Sequence, residues 1–282
     1  MKSTEQLKQL VREKYGEIAL QSKEQNAKSC CGAGECSTAD YTIFNDGDYA
    51  SLEGYNPDAD LGLGCGLPTE FAQIKEGDTV VDLGSGAGND CFVARAIAGE
   101  SGKVIGLDMT EAMIELARKN AAKRGYRNVE FRLGDIEDMP IGANRADVVV
   151  SNCVLNLVPD KRQAFREVYR ILKPGGHFSI SDVVISGELP QGLQQAAEMY
   201  AGCVSGAIQR DEYLGIIRRM GFENIVVQKQ KPIVLPDDIL LNYLDEAELS
   251  AFKKGGTGIF SITVYADKPM KDSCCPPESG CC

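Results

Sequence analysis

Residues Val80-Val81-Asp82-Leu83-Gly84-Ser85-Gly86-Ala87-Gly88 run a short β-branched stretch into three alternate glycines and then into a helical segment, Asn89 to Ala98. A continuous apolar run of this length reads as a strand buried on both faces. Glycines directly after it let the backbone turn tightly and approach a ligand at the positive end of the following helix. The pattern then recurs. Apolar strands at Lys103 to Leu107, Val129 to Leu133, Ala146 to Ser151 and His177 to Asp182 alternate with helices at Glu111 to Arg124 and Asp160 to Leu172, the second halted by Lys173-Pro174-Gly175-Gly176. Such alternation means parallel strands joined by crossover helices. After a helix at Asp211 to Met220, strands at Asn224 to Lys229 and Ile259 to Asp267 lack a crossover and are expected to close the sheet as an antiparallel hairpin. Residues 231–257 would be inserted between them, near the site.

Several function classes are excluded by composition. With 41 acidic against 30 basic residues the formal charge is -11, which repels a phosphate backbone, and no local basic patch offsets it, so no nucleic-acid partner is expected. The segment Met1 to Leu20 alternates Lys and Glu with Leu and Val at helical spacing. It has neither a signal-peptide apolar core nor the length of a membrane span, so a cytoplasmic protein without a membrane partner is expected. Eleven cysteines in a reducing compartment point to redox, metal or catalytic chemistry rather than a disulfide scaffold.

Three positions at consecutive strand ends suggest what the glycine loop holds. Asn89 stands where the third glycine of the dinucleotide fingerprint would fall, so Gly84, Gly86 and Gly88, with Asp82 before them, suit an amino-acid-bearing nucleoside better than a pyrophosphate. Asp108, followed by Met109, ends the second strand where ribose hydroxyls would lie. Asp135 follows the third strand, positioned to accept from an adenine amino group while Ile136 packs on the ring. Taken singly, Asp108 could instead cap the helix near Glu111, and Asp135 could be a turn residue.

The run Asp82 to Gly88, Asp108, Asp135 and Arg170-Ile171-Leu172-Lys173-Pro174-Gly175-Gly176 resembles class I S-adenosylmethionine-dependent methyltransferases. More specifically, Gly62-Leu63-Gly64-Cys65-Gly66, Asn89-Asp90-Cys91, Gly106-Leu107-Asp108-Met109-Thr110 and Ser151-Asn152-Cys153-Val154-Leu155-Asn156-Leu157 resemble arsenite methyltransferases, over roughly residues 28–270. The resemblance implies an α/β, Rossmann-like fold: a mostly parallel seven-stranded sheet with helices on both faces, plus an N-terminal helix and a C-terminal insertion. Residues 1–67 would be the N-terminal helix and a Cys-containing arm, 68–185 the S-adenosylmethionine-binding core, 186–270 the acceptor-binding insertion with the closing strands, and 271–282 a disordered Cys-rich tail. The cofactor would be held by Asp82, Gly84, Gly86, Gly88, Asp108, Met109, Asp135, Ile136 and Asn152.

The cysteines fall into three groups. Cys30, Cys31 and Cys36 lie in a Gly/Ser-rich stretch and Cys274, Cys275, Cys281 and Cys282 in the tail, while Cys65, Cys91, Cys153 and Cys203 are scattered through the body. A buried free cysteine is ordinarily an inert small hydrophobe, and Cys91 is read so. No C-x-x-C knuckle occurs, and a single histidine cannot serve Cys₂His₂ zinc, so no tightly bound metal cofactor is expected. That histidine, His177, reads as structural. The family resemblance implies that Cys65, Cys153 and Cys203 hold arsenic(III), and that a cysteine in the stretch of Cys30 and Cys31 takes part in turnover, with Cys31 the candidate and Cys30 the alternative. Soft thiolates select soft ions, and a pyramidal trivalent centre takes three of them. The implied substrates are arsenite or methylarsonous acid as thiol conjugates, and the implied reductant is thioredoxin or glutathione. Two other functions compete: methylation of another small molecule such as a quinone precursor, and thiol-rich metalloid binding without turnover.

Overall fold

Strands begin where the β-branched runs begin. The computed structural model describes residues 4–21, 49–190, 206–233, 237–241, 244–255 and 257–270. In chain order its elements are α1 (Thr4–Leu20), a one-turn α2 (Pro68–Phe71), β1 (Thr79–Leu83), α3 (Asn89–Ala98), β2 (Lys103–Asp108), α4 (Glu111–Lys123), β3 (Val129–Leu133) and β4 (Ala146–Asn152). There follow α5 (Lys161–Ile171), β5 (Leu172–Ser186), α6 (Arg210–Arg219), β6 (Glu223–Pro232), a one-turn α7 (Asp237–Leu240), α8 (Glu246–Lys254) and β7 (Gly258–Asp267).

The seven strands form one sheet in the order β3-β2-β1-β4-β5-β7-β6. β1 to β5 are parallel, and β7 runs antiparallel to both β5 and β6. This is the mostly parallel Rossmann-like sheet of class I methyltransferases. The chain winds outward from β1 to β3 and then returns to β4 on the other side. That reversal opens a crevice at the carboxyl ends of β1 and β4, where such sheets bind ligands.

Side-chain alternation assigns the helices to faces. Val80, Val104, Val148 and Val150 point into one apolar cluster with Phe92 and Ala94 of α3 and Ile114 and Ala117 of α4. Their neighbours Val81, Ile105 and Val149 point into the other, with Phe165 and Val168 of α5 and Tyr213, Ile216 and Ile217 of α6. A one-residue slip would exchange the two sets, so burial on both faces fixes the register.

Some details differ from the sequence expectation. The apolar spacing over residues 3–24 predicts one amphipathic helix, and α1 runs from Thr4 to Leu20. β5 starts at Leu172, immediately after α5, so Lys173-Pro174-Gly175-Gly176 stops the helix from within a strand, and a register shift between Ala146 and Val148 absorbs the irregularity. β7 does pair with β6, but it also zips along β5 for ten residue pairs, leaving β6 at the edge. α7 and α8 lie in the 231–257 segment, and Leu240 and Leu244 from this segment are buried in a third cluster that contains Cys65 and Cys153. No described helix is long and apolar enough to cross a membrane. Residues 271–282 lie outside the described residues.

Candidate functional site

A cleft of about 1100 Å³, mouth included, opens at the β1/β4 reversal. Gly84, Gly86, Asp108, Met109, Asp135, Ile136, Asn152 and Cys153 line it, bringing together residues from four strand ends. Gly86 has φ +50 and nothing within 4 Å of where a Cβ would stand, so its missing side chain leaves backbone open to the cleft. Gly88 does not line the cleft. It begins α3 with φ +98, packed so closely on Phe131 and Phe92 that a Cβ would sit 2.8 Å from the nearer ring.

Asp108 is half-buried at the rim of the cleft. Its Oδ2 accepts from the Gly86 N–H at 3.0 Å and its Oδ1 from the Thr110 N–H at 2.9 Å. A carboxylate held this way by backbone N–H groups, facing the cleft, is the kind of acceptor a vicinal diol takes. Burial pushes its pKa up, opposed by those N–H groups. Beneath the glycine loop Asp82 is buried at 2% exposure, and the Cys91 thiol donates to its Oδ2 at 3.2 Å. Burial, and then the neighbouring Asp90 carboxylate, hold Asp82 well above the usual carboxylate range. Asp90 lines the cleft and is also pushed up by burial, against hydrogen bonds from Tyr49 and Asn152. Two carboxylates in one desolvated corner favour a cation beside them. S-adenosylmethionine, with two ribose hydroxyls and an ammonium group, fits those acceptors.

Cys91 is fully buried, and burial, then Asp82, push its thiol well up, so it is held as a thiol rather than a reactive thiolate. His177 Nε2 lies 2.6 Å from the Ala72 carbonyl oxygen and its ring tilts against Tyr265, away from the cleft lining.

Asp135 meets an element the sequence did not connect with it. Lys8 of α1 pairs with its Oδ2 at 2.6 Å and also with Glu137. Burial lowers the Lys8 pKa, but the two carboxylates outweigh it and hold the ammonium above its ordinary value. Val11 and Tyr15 join Lys8 in the lining, so α1 walls the cleft at the end where Asp135 and Ile136 lie. Tyr49, Asp60 and Asp90 also escaped the sequence reading. Asp90 alone carried a signal, an acidic side chain in the first turn after a glycine loop. Tyr49 and Asp60 lie in a stretch without periodicity, and nothing local ties Lys8 to residue 135.

The thiols separate by position. Cys153, 2% exposed, lines the cleft and also belongs to the buried cluster of Cys65, Val183, Leu189, Leu240, Leu244 and Ile259. It therefore stands between the cleft and Cys65, which does not line the cleft. Cys153 has φ +61, a left-handed conformation that costs a residue with a Cβ roughly 1 kcal/mol and recurs at functional sites. Cys31 and Cys203 lie outside the described residues. Among the described residues no group of three or more His, Cys, Asp or Glu could hold a metal ion.

Comparison with known proteins narrows the family. A methyltransferase-domain model matches residues 74–221. An arsenite methyltransferase of Halobacterium salinarum is 39% identical over 280 residues, covering 95% of this chain and 68% of the relative. Another, from Aquipseudomonas alcaligenes, is 34% identical over 83% of this chain and 67% of the relative. The crystal structure of CrArsM, an arsenic(III) S-adenosylmethionine methyltransferase from Chlamydomonas reinhardtii, superposes with a TM-score of 0.61 at 35% identity, covering 73% of this chain and 68% of that one. A shared fold and identity at this level over nearly the whole chain make this protein a member of the arsenite methyltransferase family.

Proposed function

We propose that this protein transfers a methyl group from S-adenosylmethionine to thiol-bound trivalent arsenic. The observation that carries the reading is the position of Cys153, a thiol that lines the donor cleft and shares a buried cluster with Cys65. In this reading Asp108 accepts from the ribose hydroxyls, Asp135 and Ile136 hold the adenine, and Asp82 and Asp90 face the cationic amino-acid end. Cys65, Cys153 and Cys203 hold the arsenic. When bound, S-adenosylmethionine supplies a methyl on a cationic sulfur: the arsenic lone pair forms the As–C bond while the C–S pair returns to sulfur and S-adenosylhomocysteine leaves. No proton has to be removed from the acceptor, so the chain contributes chiefly position and, by burial of the thiol cluster, exclusion of water. The methylated arsenic is two electrons more oxidised. Two thiolates that close into a disulfide return those electrons, with Cys31 a candidate partner, and thioredoxin or two equivalents of glutathione reopen it.

Arsenite offers three exchangeable bonds and methylarsonous acid two, which gives the test. Cys153→Ser and Cys203→Ser abolish methylation of both substrates, whereas Cys65→Ser abolishes methylation of arsenite and spares much of that of methylarsonous acid, since serine is too hard and too weakly ionised to replace a thiolate. Labelled S-adenosylmethionine with excess thiol and speciation of the products reads this out. Equal residual activity of Cys65→Ser and Cys153→Ser on methylarsonous acid overturns the thiol assignment, and arsenic bound without release of S-adenosylhomocysteine overturns the reaction.

A further inference from the structure

Asn152, the last residue of β4, carries more hydrogen bonds than a residue that only lines a pocket needs. Its Oδ1 accepts from the backbone N–H of Cys65 at 3.0 Å and of Gly66 at 3.2 Å. Its Nδ2 shares two N–H groups among the Gly66 carbonyl at 2.8 Å, the Tyr49 hydroxyl at 2.7 Å and Asp90 Oδ2 at 3.2 Å. Two backbone N–H groups can only donate, so the oxygen of the amide must face the Cys65 segment, and its nitrogen must face the acceptors. The Tyr49 hydroxyl gives its proton onward to Asp90 Oδ1 at 2.6 Å. A single side chain thus holds the Cys65 backbone on one side and, on the other, a carboxylate that lines the donor cleft.

The surrounding sequence is shaped to admit this clamp. At Gly64 a Cβ would stand 2.6 Å from Asn152 Nδ2, and at Gly66 a Cβ would stand 2.6 Å from Ser181 Oγ. The Cys65 carbonyl accepts from Ser261 Oγ of β7 at 2.6 Å. Both backbone polar groups of Cys65 are therefore fixed by side chains from two different strands. Asn152 is followed directly by Cys153, so the residue that seats one thiol is bonded to the residue that carries another.

We propose that Asn152 is a positioning residue for the arsenic site: by clamping the Cys65 backbone to the end of β4 it sets Cys65 against Cys153 as the third sulfur on trivalent arsenic. The proposal rests on the reading of Cys65 and Cys153 as arsenic ligands. An amide is required because the position needs an acceptor toward two N–H groups and a donor toward a carbonyl, a phenol and a carboxylate. Aspartate would set a second negative charge against Asp90 and lose every donation, and alanine would leave the Cys65 and Gly66 N–H groups without their acceptor. Released from the clamp, Cys65 no longer meets the geometry of a three-sulfur centre, while a two-sulfur centre on the remaining core thiols persists.

The test reads arsenic coordination directly, without cofactor or added thiol. Full-length protein in which Cys30, Cys31, Cys36, Cys274, Cys275, Cys281 and Cys282 are replaced by serine is loaded with one equivalent of arsenite, and the number of As–S bonds is measured by X-ray absorption. Three are expected in this background and two with Cys65→Ser added. Asn152→Ala is expected to give two as well, and so is Gly64→Ala, whose Cβ would press on the Asn152 amide and push the Cys65 segment off it while leaving Asn152 in place, and which serves if Asn152→Ala does not fold. In the chain with its own cysteines, Asn152→Ala is expected to lower kcat/KM for arsenite at least about tenfold more than for methylarsonous acid, a selective loss that general unfolding does not give. Three As–S bonds retained in both clamp variants, with Cys65→Ser giving two, overturns the positioning role and leaves the thiol reading intact. Three retained with Cys65→Ser overturns the thiol reading itself, and the clamp's role with it.

Discussion

Cys153 is held with φ +61 in a buried position where an ordinary side chain would be relieved by any other backbone geometry. Glycine avoids that cost and alanine keeps it, so at this residue the usual penalty for glycine reverses. In urea denaturation of the cofactor-free protein, Cys153→Gly is expected to be more stable than Cys153→Ala by about 1 kcal/mol. A Gly variant less stable than the Ala variant would show that the conformation carries no strain. At this scale the sequence was informative where residue type alone dictates chemistry. Asp108 could be picked out because a carboxylate at a strand end has few uses, whereas Cys65, Cys153 and Cys203 were singled out only by family resemblance, a buried cysteine being ordinarily an inert small hydrophobe. The Asn152 amide could be assigned only to the cofactor, because its second set of partners, 86 and 87 residues away in sequence, depends on how the Cys65 segment folds back.

Elements were legible where their period is local. The strands from β1 to β4 and the helices α3 to α5 follow runs of apolar residues that bury themselves whatever their neighbours do. α1 was legible as a helix but its destination was not: an amphipathic stripe announces a buried face without saying what covers it. Its destination is the cleft, where Lys8 bonds Asp135 and Glu137 and Val11 and Tyr15 complete the wall. Residues 49–66 have no period, and their place beside the cleft follows from specific contacts such as Tyr49 with Asp90. Lys8 is mostly enclosed, with 12% of its side chain exposed, and a bond of this kind is worth about 1 kcal/mol. Lys8→Met is therefore expected to speed dissociation of S-adenosylhomocysteine about fivefold, measured by stopped-flow displacement, with the wild-type rate rising with salt and the variant's rate flat. Equal rates in the two proteins would mean that α1 does not restrain the ligand.

At the scale of the whole molecule, four carboxyls among the described residues are held above their ordinary range: Asp82, Asp90, Asp108 and Asp182, the last pushed up by burial to about 7 although Lys161 opposes it. The sign follows from the protons bound. Between the ordinary carboxylate range and about 7 the folded chain keeps protons that the unfolded chain has released, so folding stability falls as pH rises through that window. The urea midpoint of the cofactor-free protein is expected to drop from pH 5 to pH 7.5. Asp182→Asn, which cannot ionise, is expected to flatten part of that slope and to gain at most on the order of 4 kcal/mol at the upper end. A wild-type midpoint that rises with pH, or an unchanged slope in the variant, would refute the account.

The hydrogen bond from Ser261 to the Cys65 carbonyl also sets an order of events during synthesis. Every residue that lines the donor cleft lies between positions 8 and 159, whereas the loop that bears Cys65 waits for a serine about a hundred residues further on. At ribosomal speeds of about 5–20 residues per second, the nascent chain spends roughly 5–20 seconds with the donor cleft encoded and the Cys65 loop tied by Asn152 alone. The growing polypeptide thus gains the second anchor of its Cys65 loop only when its last strand has arrived.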